Sequence, residues 1–89
     1  MCIRDSSMYA PNRIEARAVK KVIQESAGKD LLKIDLFDVF VDKAKDKKSL
    51  AYHLTFGSDE RTLKRKEVDD LIEEIEVGLE KIGVKMRRQ

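Results

Sequence analysis

The segment at residues 49–56 alternates between apolar and small or polar side chains, and this alternation constrains the fold more than any other feature of the chain. Successive side chains of a β-strand point to opposite faces of the sheet, so the pattern predicts a strand with one buried and one open face. The buried face would carry Leu50, Tyr52, Leu54 and Phe56, and the open face Ser49, Ala51, His53 and Thr55. Such a sheet needs a layer of helices on one face only.

Two segments show the three- and four-residue apolar spacing that is typical of amphipathic helices. The first covers residues 14–27 and is followed by Gly28, and the second covers residues 64–82 and is followed by Gly83. Glycine after the last turn is a common helix stop, because its backbone tolerates a left-handed conformation. Each helix has one apolar stripe, so both can pack against the buried face of one sheet.

Three more segments complete the predicted order of elements. Residues 31–41 are β-branched, aromatic and apolar and predict a strand, residues 84–87 predict a short last strand, and residues 7–10 the tail of a first strand. The order strand, helix, strand, strand, helix, strand is that of the split βαβ arrangement. We therefore predict an α+β fold, a ferredoxin-like βαββαβ sandwich related to the RNA-recognition motif. Two helices would cover one face of its antiparallel sheet, and its first strand would be truncated or non-native.

The first six residues, MCIRDS, look foreign to the rest of the chain. They match the translation of a mosaic-end adapter that is used in transposase-based sequencing libraries. Processing artefacts of this kind are excluded from reasoning about the fold. We therefore expect residues 1–6 to derive from the adapter, residues 7–89 to form the domain, and the reading frame to come from a longer gene; a natural short start is the alternative.

Composition argues against several classes of function. Cys2 is the only cysteine, no apolar run approaches the length of a membrane span, and the four glycines form no phosphate-binding loop. His53 is the only histidine, and no cysteine or serine is placed beside it as a nucleophile. We therefore expect no catalytic residue, no metal site and no membrane association in this chain, and a cytoplasmic location. A small ferredoxin-like enzyme is disfavoured for the same reason.

Charge is more informative in its distribution than in its total. The net charge is only +2, but cations cluster at residues 43–48, at residues 61–66 and at the end of the chain. Clusters of this kind suggest basic edges that face a polyanion, whereas the alternative is a mixed, solvated surface. Cations at residues 64–66 would lie at the positive end of a helix dipole, which is mildly unfavourable and hints at contact with phosphate.

The strand at residues 31–41 contains a carboxylate, Asp38, which is costly to bury without a partner. Simple alternation places Leu36, Asp38 and Phe40 on one side, and Phe37 and Val39 on the other. The charge of Asp38 indicates that its side is the open one.

Phe40 would then lie near Ser49 and beside a lysine-rich loop. An aromatic ring with a small polar neighbour and flanking cations suits the stacking of an unpaired base, although Phe40 could instead cover the strand end. The predicted RNA-binding residues are Phe40, Ser49, Asp38, Ala51, His53, Lys47, Lys48, Lys64 and Arg65.

Several segments resemble the ferredoxin-fold anticodon-binding domain, in the same order and spacing. They are LFDVF at residues 36–40, KKSLAYHLTF at 47–56, RTL at 61–63 and EV at 67–68 before the long helix. VIQESAGKDLLKIDLFDVF, at residues 22–40, also looks like the first helix and second strand of that family. The similarity covers about residue 8 to the end. Arg4 and Asp5 fall where the family has an Arg-Asp-Leu motif, but we attribute them to the adapter.

The resemblance implies a module that grips the anticodon stem-loop of phenylalanine tRNA and closes the β subunit of phenylalanyl-tRNA synthetase. In the family, the positions of Phe40 and Ser49 belong to the surface that meets the anticodon, and Phe40 stands where tyrosine is favoured. The implied partners are phenylalanine tRNA, the rest of the β subunit and the α subunit. No cofactor is implied for this domain, because catalysis, ATP and magnesium would belong to the α subunit. The alternative is a ferredoxin-like protein-interaction module without RNA binding.

Overall fold

The computed structural model describes residues 2–58 and 60–87 of the chain. Its elements are β1 (Cys2–Pro11), α1 (Ala16–Ala27), β2 (Leu31–Asp42), β3 (Lys47–Phe56), α2 (Arg65–Glu80) and β4 (Lys85–Arg87), with a 3-10 turn at Gly28–Asp30. The strands form one antiparallel sheet in the order β2-β3-β1-β4. The predicted α+β, ferredoxin-like order of elements is thus confirmed.

The core lies between the two helices and one face of the sheet. From β3, the four side chains that alternation predicted to be buried are 0–1% exposed. The helices contribute Val19, Ile23, Ala27, Val68, Ile75 and Leu79. Full burial of one large apolar side chain contributes about 1.5–3 kcal/mol, so this single layer of contacts holds the helices to the sheet. The opposite side of the sheet, which we call the open face, carries no helix among the described residues.

β1 is longer than the sequence predicted. It pairs with β3 over its whole length, from Cys2 opposite Phe56 to Pro11 opposite Lys47, and it also pairs with β4. The first strand was therefore wrongly expected to be truncated, because residues 1–6 had been set aside although residues 2–6 continue the pairing. Arg4 donates a 2.8 Å hydrogen bond to Asp69 of α2. The adapter origin of residues 1–6 stays a prediction.

β2 departs from simple alternation at a β-bulge between Leu36 and Asp38. Leu36 lies opposite Tyr52 and therefore on the helix side, which corrects its predicted place beside Asp38 and Phe40. Phe37 lies on the open face, where its ring stacks on His53 with the ring centroids 3.8 Å apart. The prediction that Phe37 lies on the side opposite to Asp38 was therefore also wrong, because a bulge inserts one extra residue that alternation cannot reveal.

Beyond the bulge, alternate residues of β2 lie on the open face, as predicted. Asp38 lies opposite Ala51, and Phe40 lies opposite Ser49. Both β2 side chains are exposed. The predicted placement of Asp38 and Phe40 is confirmed, and the Asp38 carboxylate is not buried in the core.

Tyr52 supplies a polar contact at the edge of this core. Its hydroxyl donates a 2.9 Å hydrogen bond to the carbonyl of Ala16, the first residue of α1. Burial raises the pKa of Tyr52 above its ordinary value of 10.0. The contact therefore fixes the start of α1 on β3 only while the phenol keeps its proton.

We expect Tyr52→Phe to lower the free energy of unfolding by about 0.5–1.5 kcal/mol near pH 7, the usual net contribution of one hydrogen bond. Above pH 10 the unfolded chain of the natural protein binds fewer protons than the folded one, so its stability falls and the difference narrows. Urea unfolding at several pH values measures both effects. Tyr9→Phe is the matched control because Tyr9 is exposed, and equal stability of Tyr52→Phe and the natural chain at pH 7 would contradict the contribution.

Candidate nucleic-acid interface

One row of side chains crosses all four strands on the open face. In the register of the sheet, the members of this row are Phe40 of β2, Ser49 of β3, Tyr9 of β1 and Lys85 of β4. Directly opposed residues of antiparallel strands have Cβ atoms about 4.5–5.5 Å apart. The row, which we call the aromatic row, therefore places a hydroxyl between two aromatic side chains and a cation at one end.

The aromatic row is open to a ligand. Phe40 is 65% exposed and Tyr9 is 42% exposed, whereas Ser49 is half-buried between their strands. All four members line a shallow cavity of about 400 Å³, together with Lys45 and Lys47 from the β2–β3 hairpin. The cavity thus combines apolar surface, a hydroxyl and cations with the carboxylate of Asp42.

The next row on the open face contains Asp38. Its neighbours across the sheet are Ala51 of β3, Ser7 of β1 and Arg87 of β4. Ala51 is nearly buried and makes a small, flat surface beside the exposed carboxylate. Asp38 can therefore accept a hydrogen bond from a ligand that lies over the aromatic row.

His53 lies one row further from the aromatic row and is already engaged. Its Nδ1 and the carboxylate of Asp5 form a hydrogen bond, and Phe37 covers one face of its ring. Asp35 lies opposite it on β2. The role of His53 in RNA binding stays a prediction. Because of these two contacts, RNA could reach only the other face and the edge of the ring.

The two lysines at the start of β3 point in different directions. Lys47 is exposed and lies opposite Asp42 and Pro11 on the open side, where it lines the cavity. Lys48 takes the alternate position, and its Nζ donates a 3.3 Å hydrogen bond to the carbonyl of Asn12. Both lysines line the cavity, and the ammonium of Lys48 also holds the loop after β1.

Lys64 and Arg65 lie away from this site. They begin α2, which packs on the other side of the sheet and follows the end of β3. Ser49 and Phe56 are seven residues apart in β3, a rise of about 23 Å. The structure therefore does not bring this predicted pair together with Phe40 and Ser49.

The cations at the start of α2 are offset by a local carboxylate. Glu67 accepts a 2.7 Å hydrogen bond from Arg61 Nη1 and a 3.4 Å one from the backbone N–H of Lys64. The hydrogen bond from Arg61 lowers the pKa of Glu67. Negative charge in the first turn interacts favourably with the helix dipole and offsets the unfavourable effect of the cations. The cations at the start of α2 are therefore explained without a bound phosphate.

Sequence reasoning missed Tyr9 and Lys85. The first strand was predicted as a short tail, so the neighbours of Tyr9 could not be assigned. The predicted fold could have indicated Tyr9, because β1 lies beside β3 in the split βαβ order. A one-to-one register between these strands brings an exposed β1 residue opposite Ser49.

Over residues 2–58 and 60–87, no three histidine, cysteine or acidic side chains are grouped so that they could hold a metal ion. None of the helices in these ranges is long and apolar enough to cross a membrane.

Comparison with known proteins gives consistent relatives. The phenylalanine–tRNA ligase β subunit of a Dehalococcoides mccartyi strain is 44% identical over 75 residues, which cover 81% of this chain and 9% of that protein. The protein of the same name from Geobacillus kaustophilus is 42% identical over 82 residues, 89% of this chain and 10% of that protein. The chloroplastic β subunit of Pyropia yezoensis is 36% identical over 69 residues, 75% of this chain and 10% of that protein.

This chain spans about a tenth of the length of these curated relatives. The family model described as ferredoxin-fold anticodon binding domain matches residues 1–87. That match agrees with the sheet order and with the helices on one face. The chain belongs to the ferredoxin-fold anticodon-binding domain family.

Proposed function

We propose that this chain binds the anticodon stem-loop of phenylalanine tRNA and is part of the β subunit of a phenylalanine–tRNA ligase. Membership of the anticodon-binding family and the names of the relatives support the proposal. The observation that carries it is the aromatic row, where an exposed phenylalanine, a hydroxyl and cations meet on an open sheet face.

The mechanism is recognition without covalent chemistry. Phe40 stacks on an unpaired base, because its ring is exposed on a platform of paired strands. Ser49 offers a hydroxyl beside that base, and Asp38 offers a carboxylate one row away. Hydrogen bonds to base edges carry sequence information, whereas Lys45 and Lys47 act on phosphates.

The rest of the proposed enzyme would supply the chemistry. Its partners are phenylalanine tRNA, the remainder of the β subunit and the α subunit. Catalysis, ATP and magnesium belong to the α subunit, and this domain needs no cofactor to bind RNA. A cytoplasmic location follows from the same proposal.

A protein-interaction module that uses the sheet is the second candidate. It is favoured by the apolar side chains of β2 that remain exposed, among them Val39 and Val41. The two candidates differ in their dependence on salt. Phosphate contacts release counterions and weaken steeply with salt, whereas apolar docking does not.

We expect Phe40→Ala to weaken binding of an anticodon stem-loop hairpin by about 1–3 kcal/mol, the contribution of one stacked base. Phe40→Tyr keeps a ring and should bind at least as well as the natural chain. Fluorescence anisotropy with the labelled hairpin measures the affinity. Ile3→Ala is the control, since Ile3 is 65% exposed at the far end of the open face; equal affinity of Phe40→Ala and the natural chain would refute the role of Phe40.

We expect the two predicted cation clusters to differ in their salt effect. Removal of one phosphate contact by Lys47→Ala should make the negative slope of log affinity against log salt concentration shallower by about 0.7. Lys64→Ala should leave the slope unchanged, because Lys64 starts the helix layer. Titrations of the same hairpin at several salt concentrations give the slopes. A salt-independent affinity of the natural chain would instead favour the protein-interaction module.

A further inference from the structure

We propose that Tyr9 is a second base-stacking platform, so that the open face holds two unpaired nucleotides, one on Phe40 and one on Tyr9. This inference rests on the proposed RNA binding and adds a site to it. Both rings are exposed, both line the same cavity, and both lie opposite Ser49 in the sheet register.

The spacing of the two rings favours two bases over one. Phe40 and Tyr9 lie on the strands that flank β3, so two strand spacings of about 4.8 Å separate their positions. Their side chains rise from the same side of the sheet and lie side by side. Each ring can thus support its own base, and Ser49 lies between the two bases, where its hydroxyl can contact either one.

Cations beside the aromatic row support the same path for the RNA. Lys85 lies opposite Tyr9 at the β4 end of the row, and Lys45 and Lys47 line the cavity on the side of the β2–β3 hairpin, where Asp42 lies opposite Lys47. A nucleotide chain that crosses from β2 to β4 would pass the hairpin lysines on one side and reach Lys85 as it leaves. Its phosphates would thus lie near cations while the bases occupy the rings.

The test combines the removal of single bases from the RNA with the removal of single aromatic rings from the protein. Hairpins with an abasic nucleotide at one loop position at a time are bound to the natural chain, Phe40→Ala and Tyr9→Val. On the natural chain, two loop positions should each lose about 5- to 150-fold in affinity when abasic, the range expected for one stacked base. The loss at one position should vanish in Phe40→Ala, and the loss at the other in Tyr9→Val.

Three controls make the outcomes distinct. Tyr9→Phe keeps the ring and should bind like the natural chain, Ile3→Ala tests a general effect of changes on the open face, and urea unfolding reports stability. If only the abasic position linked to Phe40 matters, the second platform is refuted while the proposed function stands. If no abasic position and neither variant alters binding, both are refuted. The abasic series on the natural chain remains decisive if Tyr9→Val is unstable.

A second inference concerns the outer edge of β2 and is independent of RNA. We infer that two copies of this chain pair antiparallel through their β2 strands. β2 is an edge strand of 12 residues, whereas the other edge, β4, has three residues and two cations. Several large apolar side chains of β2 are 41–65% exposed. Long, exposed apolar edges promote strand pairing between molecules, whereas bulges and charges oppose it, so pairing through β2 requires a register that accommodates both.

The bulge makes residues 33–42 symmetric for this pairing. Its two central residues, Phe37 and Asp38, both lie on the open face, and the sides alternate outward from them in both directions. A two-fold axis between these two residues joins side chains of matching faces. It pairs Leu36 with Val39, Ile34 with Val41, and Lys33 with Asp42.

Charge selects this register over its neighbours. A shift by two residues places Asp35 opposite Asp38 in one direction and opposite Asp42 in the other. Like charges directly opposite each other destabilise strand pairs. Only the symmetric register of the three sets Lys33 against Asp42 at both ends, so the partner that fits this edge is a second copy of the chain.

Sedimentation of the 89-residue chain over a range of concentrations tests the pairing. A reversible dimer is expected, and the doubly substituted Val39→Lys, Val41→Lys chain should dissociate at least tenfold more readily. Val77→Lys is the matched control, since Val77 is 51% exposed on α2. Lys33→Glu should weaken the dimer, and combining it with Asp42→Lys should restore it. A monomer at all concentrations, or a dimer that ignores the β2 changes, would overturn the inference.

Discussion

The one-sided burial of β3 is the constraint on which the rest of the structure depends. β3 is paired with β1 on one side and β2 on the other, and its four large side chains lie in the core. A slip of one residue would turn every side chain of the strand to the other face. The core therefore fixes Ser49, Ala51 and His53 on the open face, and the two neighbouring strands inherit their register from it.

This inheritance explains how distant parts of the sequence form one surface. Tyr9 and Phe40 are far apart in the chain, yet each lies directly opposite Ser49. The energy that holds them there comes from the other side of the sheet, where the helices cover β3. The side chains on the open face contribute little to the core, so they can vary with the needs of recognition without loss of the fold.

Local periodicity was enough to predict the helices and β3, because one-sided burial leaves a periodic trace in the sequence. It could not predict the bulge at Phe37, since an inserted residue changes the phase without changing the composition of the strand. Periodicity also could not predict which distant residues lie close together in the fold. Lys47 and Lys64 both belong to basic clusters, but only the tertiary fold shows that Lys47 borders the cavity while Lys64 begins a helix in the opposite layer.

The bulge itself decides whether β2 can contribute to the proposed site. Ile34 and Leu36 lie on the helix side, opposite Leu54 and Tyr52. Uninterrupted alternation from Leu36 would continue that side to Asp38 and Phe40, and both would face away from Ser49. The extra residue at Phe37 reverses the phase, so the first half of β2 contributes to the core and the second half presents a ring and a carboxylate on the open face. Bulges often re-aim side chains next to functional sites, and here the re-aimed side chain is Phe40.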